Sequence, residues 1–301
     1  MNKLTLKTKE NQQWAYEINE NDRLQVSDDI DSIFSAVLLN KLFGCKITSY
    51  YDFTQIYFNN LDDLKSENMI GVDISYVYNR HKDGIRTFDN HVSKKVAMDT
   101  INPRAVNVNV YENLNGYSNS YYDKFCGSTL IQIISLYDCW DLLIREKEQG
   151  LTDKQLAILL AIDSTHLGKF KGYESYDMWR EYVGLERFDG ILEKYSLNAF
   201  NHLINEIKLN SKIEYKNGEW ITKVNLEYIQ QEFPMLDFDL SNITFNKIMP
   251  MGERGKITGG TMFDCIEFSG LGSLYSFAAT GKQKYLYTKF PNEVAFYEIN
   301  R

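Results

Sequence analysis

The sequence predicts an α/β fold, a mostly parallel sheet with flanking helices, followed by a smaller strand-rich α+β region. Three observations carry this expectation. Short apolar runs alternate with helical ones through the first half of the chain. One of them, Met69-Ile-Gly-Val-Asp-Ile74, is apolar between polar flanks, as a strand covered on both faces should be. The tail breaks into short β-type runs separated by glycine.

Residues 23–27 form a short strand that runs straight into Asp28-Asp29-Ile30-Asp31-Ser32. Residues 33–43 are apolar on nearly every face and stop at Gly44, which predicts a buried helix. Residues 46–51, 69–74 and 85–88 read as strands, the last ending at Asp89-Asn90-His91. From 127 to 164 the pattern is mainly helical, with a strongly apolar stretch over 128–137 and a second helix that opens at the capping residue Thr152. A polar stretch dotted with aromatics precedes the helical residues 191–209. Asn217-Gly218 then marks a hairpin turn. The expected division is a first domain over 1–184, a helical linker over 185–210 and a substrate-binding second domain over 211–301, with no internal repeat.

The chain has 33 Lys and Arg against 41 Asp and Glu, a formal net charge of -8. That balance disfavours a long track along duplex DNA, which needs many cations on phosphates. It leaves room for a short single-stranded oligonucleotide or a nucleotide held at a metal. No apolar run approaches the ~20 residues of a membrane helix, and the first ten residues lack the apolar core of a signal peptide. A cytoplasmic protein, with no membrane partner and with an oligomer left open, is therefore expected. Four scattered cysteines without a C-x-x-C pair read as buried thiols. With only four histidines, a metal site must lean on carboxylates. Twenty-one tyrosines offer rings for base stacking as well as for packing.

Carboxylates fall where predicted strands end. Asp29 and Asp31, two residues apart in an extended segment, would share one face and converge beyond the carboxyl edge of the sheet. Asp73 ends a second strand and Asp89 a third, with Asn90 and His91 following. Open α/β sheets place their sites at that edge. Oxygen donors with one imidazole suit Mn²⁺ or Mg²⁺ better than zinc. Aspartates also end strands and cap helices as ordinary structural residues, so it is the combination that points to a metal.

The order Asp29-Ile30-Asp31-Ser32 with Ser35-Ala36, then Gly71-Val72-Asp73, then Asp89-Asn90-His91, resembles the DHH phosphoesterase superfamily, which includes RecJ-type exonucleases, nanoRNases and cyclic-dinucleotide phosphodiesterases. The likeness covers about residues 20–170. A fourth element, Gly127-Ser128-Thr129 and a helix leading to Asp163-Ser164-Thr165, is also similar. The resemblance implies a metal-dependent phosphodiesterase of short oligonucleotides or nucleotide second messengers. It implies two Mn²⁺ or Mg²⁺ ions about 3.5–4 Å apart. Asp29 would bind the first, Asp73 would bridge, and Asp31 and Asp163 would bind the second. Asn90 stands where the family has a metal-binding histidine and would coordinate through its amide oxygen; His91 would touch phosphate or support a ligand, both in catalytic positions. Arg254, Gly259 and Gly260 would contact substrate in place of the family's glycine-rich motif. His166, three residues beyond Asp163, is a candidate replacement ligand or phosphate contact. Asp138 is an alternative to Asp163.

The chain departs from the pattern at Gln25 or Ser27, where depending on the branch the family carries a histidine, at Asn90, and at Ser32, where it carries glycine. These departures support a rival expectation, a degenerate module without catalysis that serves as a nucleotide-binding or protein-interaction scaffold.

Overall fold

The computed structural model describes residues 1–65, 67–77, 84–94, 101–116, 119–146, 148–170, 175–258 and 274–290. After helix α1 (Lys3–Asn11) the chain enters strand β1 (Arg23–Val26) and helix α2 (Ile30–Phe43), then β2 (Lys46–Tyr51), β3 (Gln55–Phe58), β4 (Met69–Val72), β5 (Arg86–Phe88) and β6 (Ala105–Val106). A helical stretch follows: α3 (Val108–Tyr111), α4 (Thr129–Tyr137), α5 (Asp153–Ala161), α6 (Leu167–Phe170), α7 (Ser175–Val183), α8 (Asp189–Lys194) and α9 (Leu197–Ile207). The tail holds β7 (Ile213–Lys216), β8 (Glu219–Thr222), α10 (Leu226–Glu232), β9 (Lys247–Pro250), β10 (Arg254–Thr258), β11 (Leu274–Gly281) and β12 (Lys284–Lys289).

The main sheet runs β6-β5-β4-β1-β2-β3-β9. Its first five strands pair in parallel, while β3 and β9 are antiparallel additions at one side. The mostly parallel α/β expectation therefore holds. Every residue of β4 is buried, in keeping with its central place. Helix α2 is buried from Ile30 to Leu39 because it packs against β1, β4 and α4. Gly44 ends it in the left-handed conformation, as its position predicted.

Helix α2 also begins earlier than expected. Asp29 is its N-cap, accepting from the Ser32 amide at 3.2 Å, and Asp31 lies in its first turn. The two aspartates are thus not neighbours on one face of an extended strand. The N-cap bond satisfies a helix-end amide that an extended segment would leave to water.

The region 185–210 is helical, as α8 and α9, and both helices bury apolar faces in the core of the sheet, through Ile191, Leu192, Phe200 and Ile207. Ile213, Tyr215, Ile229 and Phe233 belong to the same core, and the Phe233 ring meets Phe34 of α2 at 5.0 Å. The β7–β8 hairpin turns at Asn217 and Gly218, both at positive φ, as the dipeptide signals.

Strands β10, β12 and β11 form a separate antiparallel sheet. Its strand β11 is tied to the segments that follow β4 and β5: Val77 N–H donates to Tyr275 O at 3.1 Å, Phe277 N–H to Ser75 O at 3.0 Å, and Ala279 N–H to Val92 O at 2.9 Å. Cys45 and Cys139 are buried and Cys126 half-buried, and burial pushes all three thiols up to about 12; Cys265 lies outside the described residues. Among the described residues no helix is long and apolar enough to cross a membrane.

Candidate metal centre

Asp73 follows β4 in the left-handed region (φ 59°), which aspartate tolerates better than most residues. Its N–H donates to Phe88 O at 2.8 Å, which fixes the turn to β5. Asp89 follows β5 and donates its own N–H to Val106 O at 3.1 Å. Two residues on, the His91 ring places Nδ1 2.6 Å from Asp89 Oδ1 and 3.9 Å from Asp73 Oδ1. Asp73, Asp89 and His91 thus offer two carboxylate oxygens and an imidazole nitrogen within 4.8 Å of one another, a buried cluster positioned to chelate a metal ion. The side chains of Asp73 and Asp89 are 7% and 2% exposed but that of His91 is 36% exposed, so the cluster opens to solvent on the His91 side.

Further groups orient these ligands. Asn107 Nδ2 donates to the second oxygen of Asp89 at 2.9 Å. Thr129, first residue of α4, donates its hydroxyl to Asp73 Oδ1 at 2.8 Å. The amides of Thr129 and Leu130 donate to the two oxygens of Asp31 at 2.8 and 2.9 Å, so Asp31 sits on the N-terminus of α4. Asn90 turns its amide NH₂ to Gly127 O at 2.9 Å and to Asp163 Oδ2 at 2.8 Å, while its backbone carbonyl accepts from Asn109 Nδ2 at 2.6 Å. On the other side Lys212 Nζ lies 2.7 Å from Asp28 and 3.9 Å from Asp29.

The electrostatics are those of an anionic cluster short of positive charge. Burial raises the pKa of Asp29; the Lys212 ammonium opposes that rise. Burial, then the charges of Asp73, Asp163 and Asp29, hold Asp31 well above the usual carboxylate range. Asp73 is likewise held well up, first by burial and then by Asp29, with His91 opposing. Burial pulls the His91 imidazole down, but Asp89 and Asp73 outweigh it and raise it to about 10. A bound divalent cation would reverse this logic by stabilising every carboxylate in its charged form.

Of the residues singled out in the sequence, the fold joins Asp73 and His91 with Asp89 in the cluster, and it hydrogen-bonds Asn90 to Asp163 beside them. Asn90 is not available as the oxygen ligand expected of it. Both acceptors facing its amide, a carbonyl and a carboxylate, require the NH₂ end, which fixes the flip. His166 is a core histidine and not a phosphate contact: it is 1% exposed, stacks on Phe200 at 4.4 Å, and its Nδ1 lies 3.2 Å from Leu160 O. Arg254 is exposed on β10, its guanidinium 5.4 Å from the centre of the Phe53 ring. Gly259 and Gly260 lie outside the described residues. Asp138 caps the far end of α4, roughly 13 Å along the helix from Thr129.

Gln25, at a position where the resemblance calls for histidine, is fully buried. Its Oε1 accepts from Tyr76 Oη at 2.6 Å and from Tyr275 Oη, and its Nε2 donates to Ser49 at 3.2 Å. Sequence reasoning missed Thr129 and Asn107 as orienting residues and Lys212 as the cation beside Asp28 and Asp29. The one available signal was Thr129 in the helix-opening Ser128-Thr129 pair.

Comparison with known proteins returns no match to a family model, to a curated protein or to a solved structure. A divalent cation fits the cluster by its donor set, two anionic oxygens and one nitrogen converging at the carboxyl ends of β4 and β5.

Proposed function

We propose that the protein is a metal-dependent phosphodiesterase acting on short oligonucleotides or nucleotide second messengers. The observation that carries this reading is the convergence of Asp73, Asp89 and His91 at the carboxyl edge of a parallel sheet, the place where open α/β folds bind ligands. The motif order from Asp29 to Asp163 supports it. Asp73, Asp89 and His91 would hold Mn²⁺ or Mg²⁺. When bound, such a cation supplies Lewis acidity toward a phosphoryl oxygen. Thr129 and Asn107 hold the carboxylates of Asp73 and Asp89 in place, so that little reorganisation accompanies loading. The exposed side of His91 gives a phosphate its approach. Lys212 and Arg254 lie on the flank of Asp28, where burial raises its pKa and both cations oppose that rise, and they would draw an anionic substrate to that side.

The experiment is cleavage of a short oligonucleotide or bis-p-nitrophenyl phosphate by the purified protein with Mn²⁺, expected to be lost in Asp73→Ala. Failure to cleave oligonucleotides and cyclic dinucleotides alike would overturn the reading. The rival, a non-catalytic nucleotide-binding or protein-interaction scaffold, draws on Gln25 and Asn90, each consumed by internal hydrogen bonds. Such a scaffold would bind Mn²⁺ no more tightly than about millimolar.

A further inference from the structure

We infer that this centre takes a single divalent cation, because the N-terminus of α4 occupies the two oxygens of Asp31 that a second cation would need. The inference rests on reading Asp73, Asp89 and His91 as a metal centre. A two-metal arrangement of the kind the sequence suggests needs Asp31, Asp163 and the residue at position 90 to share an ion. In this fold Asp31 is committed to the α4 amides, and Asn90 meets Asp163 with a hydrogen rather than a lone pair.

Asp31 is the clearest case. It is 4% exposed, and its two oxygens each accept a backbone N–H, from Thr129 and Leu130, at 2.8 and 2.9 Å. These amides belong to the first turn of a nine-residue helix, whose N-terminus carries a partial positive charge of roughly half a unit. Charge-assisted bonds of this kind are among the stronger ones a carboxylate makes. Both oxygens of Asp31 are therefore occupied by the fold itself. Thr129 adds a second connection, since its hydroxyl reaches Asp73 Oδ1, so the same residue that satisfies Asp31 also orients a ligand of the cluster.

Asp163 and Asn90 close the other half. Imidazole at position 90 would bring a lone pair toward Asp163, but asparagine presents hydrogens there. Both N–H bonds of its amide are used, one on Gly127 O and one on Asp163 Oδ2. An ion between Asp163 and Asn90 would have to break both bonds and turn the amide over inside a site where Asn90 is 7% exposed. Gln25 is equally unavailable, since its amide oxygen accepts from two tyrosine hydroxyls. Among the described residues, Asp73, Asp89 and His91 are the one group of three or more His, Cys, Asp or Glu residues whose ligand atoms approach one another closely enough for an ion.

The test is the Mn²⁺ stoichiometry of the full chain after chelator treatment, by calorimetry with metal analysis, together with its electron paramagnetic resonance spectrum. One equivalent per chain with an uncoupled Mn²⁺ signal is expected. Two equivalents, or an exchange-coupled signal from paired ions, would overturn the inference. No binding at all would remove the metal-centre reading itself, a distinguishable failure that takes this inference with it. Two variants sharpen the result. Asp31→Asn, checked for folding by circular dichroism, is expected to keep the single equivalent with a Kd within about threefold of the parent, whereas Asp89→Asn weakens it by about tenfold or more. Loss of the equivalent in a folded Asp31→Asn protein would make Asp31 a ligand and contradict the account.

Discussion

His91 Nδ1 and Asp89 Oδ1 are 2.6 Å apart at the end of β5, and the same nitrogen is 3.9 Å from Asp73 Oδ1. A proton on that nitrogen is the positive charge that two buried carboxylates share, at the point where a cation would have all three as ligands. His91→Ala removes both a ligand and that charge. Mn²⁺ affinity is expected to fall by about 10–100-fold, read by calorimetry, and the metal-free protein to melt at a lower temperature at neutral pH.

The metal-free protein is expected to lose stability as pH rises. Asp31, Asp73 and His91 all have folded-state pKa values above their ordinary ones, so the folded chain holds more protons than the unfolded chain. Their contribution is complete below the unfolded values, near about 3.9 for the carboxyls and 6.5 for the imidazole, and is lost as pH climbs through the folded values. For His91 that window runs from the ordinary 6.5 to about 10. Thermal melts in chelator across this range should fall with pH, and saturating Mn²⁺ should flatten the trend. A melting temperature that climbs over the same range would contradict the assigned directions.

Asp73→Asn is expected to separate stability from function. Asparagine keeps the left-handed backbone at φ 59° readily and removes a charge that Asp29, Asp163 and Asp89 all oppose. Without metal the variant should be more stable than the parent, by a margin that widens toward alkaline pH, while Mn²⁺ binding is lost. Paired melts and titrations measure both effects.

The Gln25 network is expected to carry stability and no metal. Gln25→Leu leaves Tyr76, Tyr275 and Ser49 without their partner in a buried setting, at a cost of about 2–5 kcal/mol in urea denaturation. Tyr275→Phe removes one donor and should cost about 1–2 kcal/mol.

Gly71 is where the chain leaves room for that network. A Cβ there would run into the Tyr76 ring, so Gly71→Ala must displace the ring that reaches Gln25. Destabilisation of about 1–3 kcal/mol is expected, with part of it recovered when Tyr76→Leu is added to the same chain.

Much of this was legible in the sequence, for local reasons. The apolar run at β4, the helix stop at Gly44 and the turn at Asn217-Gly218 are written in short segments whose physics is self-contained. Asp73 and His91 could be singled out because they follow strands, and strand ends meet at one edge. What escaped depends on distant partners. The orientation of the Asn90 amide is set by Gly127 and Asp163, 37 and 73 residues away. The burial of His166 depends on Phe200, brought over by α9. Strand β9 is short and mostly exposed, with no apolar alternation to show that it would pair with β3. Asp29 carried a readable N-cap signal toward Ser32, and the extended reading of that segment passed over it.

The most direct test of the central claim is a calorimetric titration of the chelated full chain with Mn²⁺, run beside Asp73→Ala. The account predicts micromolar binding in the parent and its loss in the variant. Binding no tighter than about millimolar in the parent, or equal binding in a folded Asp73→Ala protein, would contradict it.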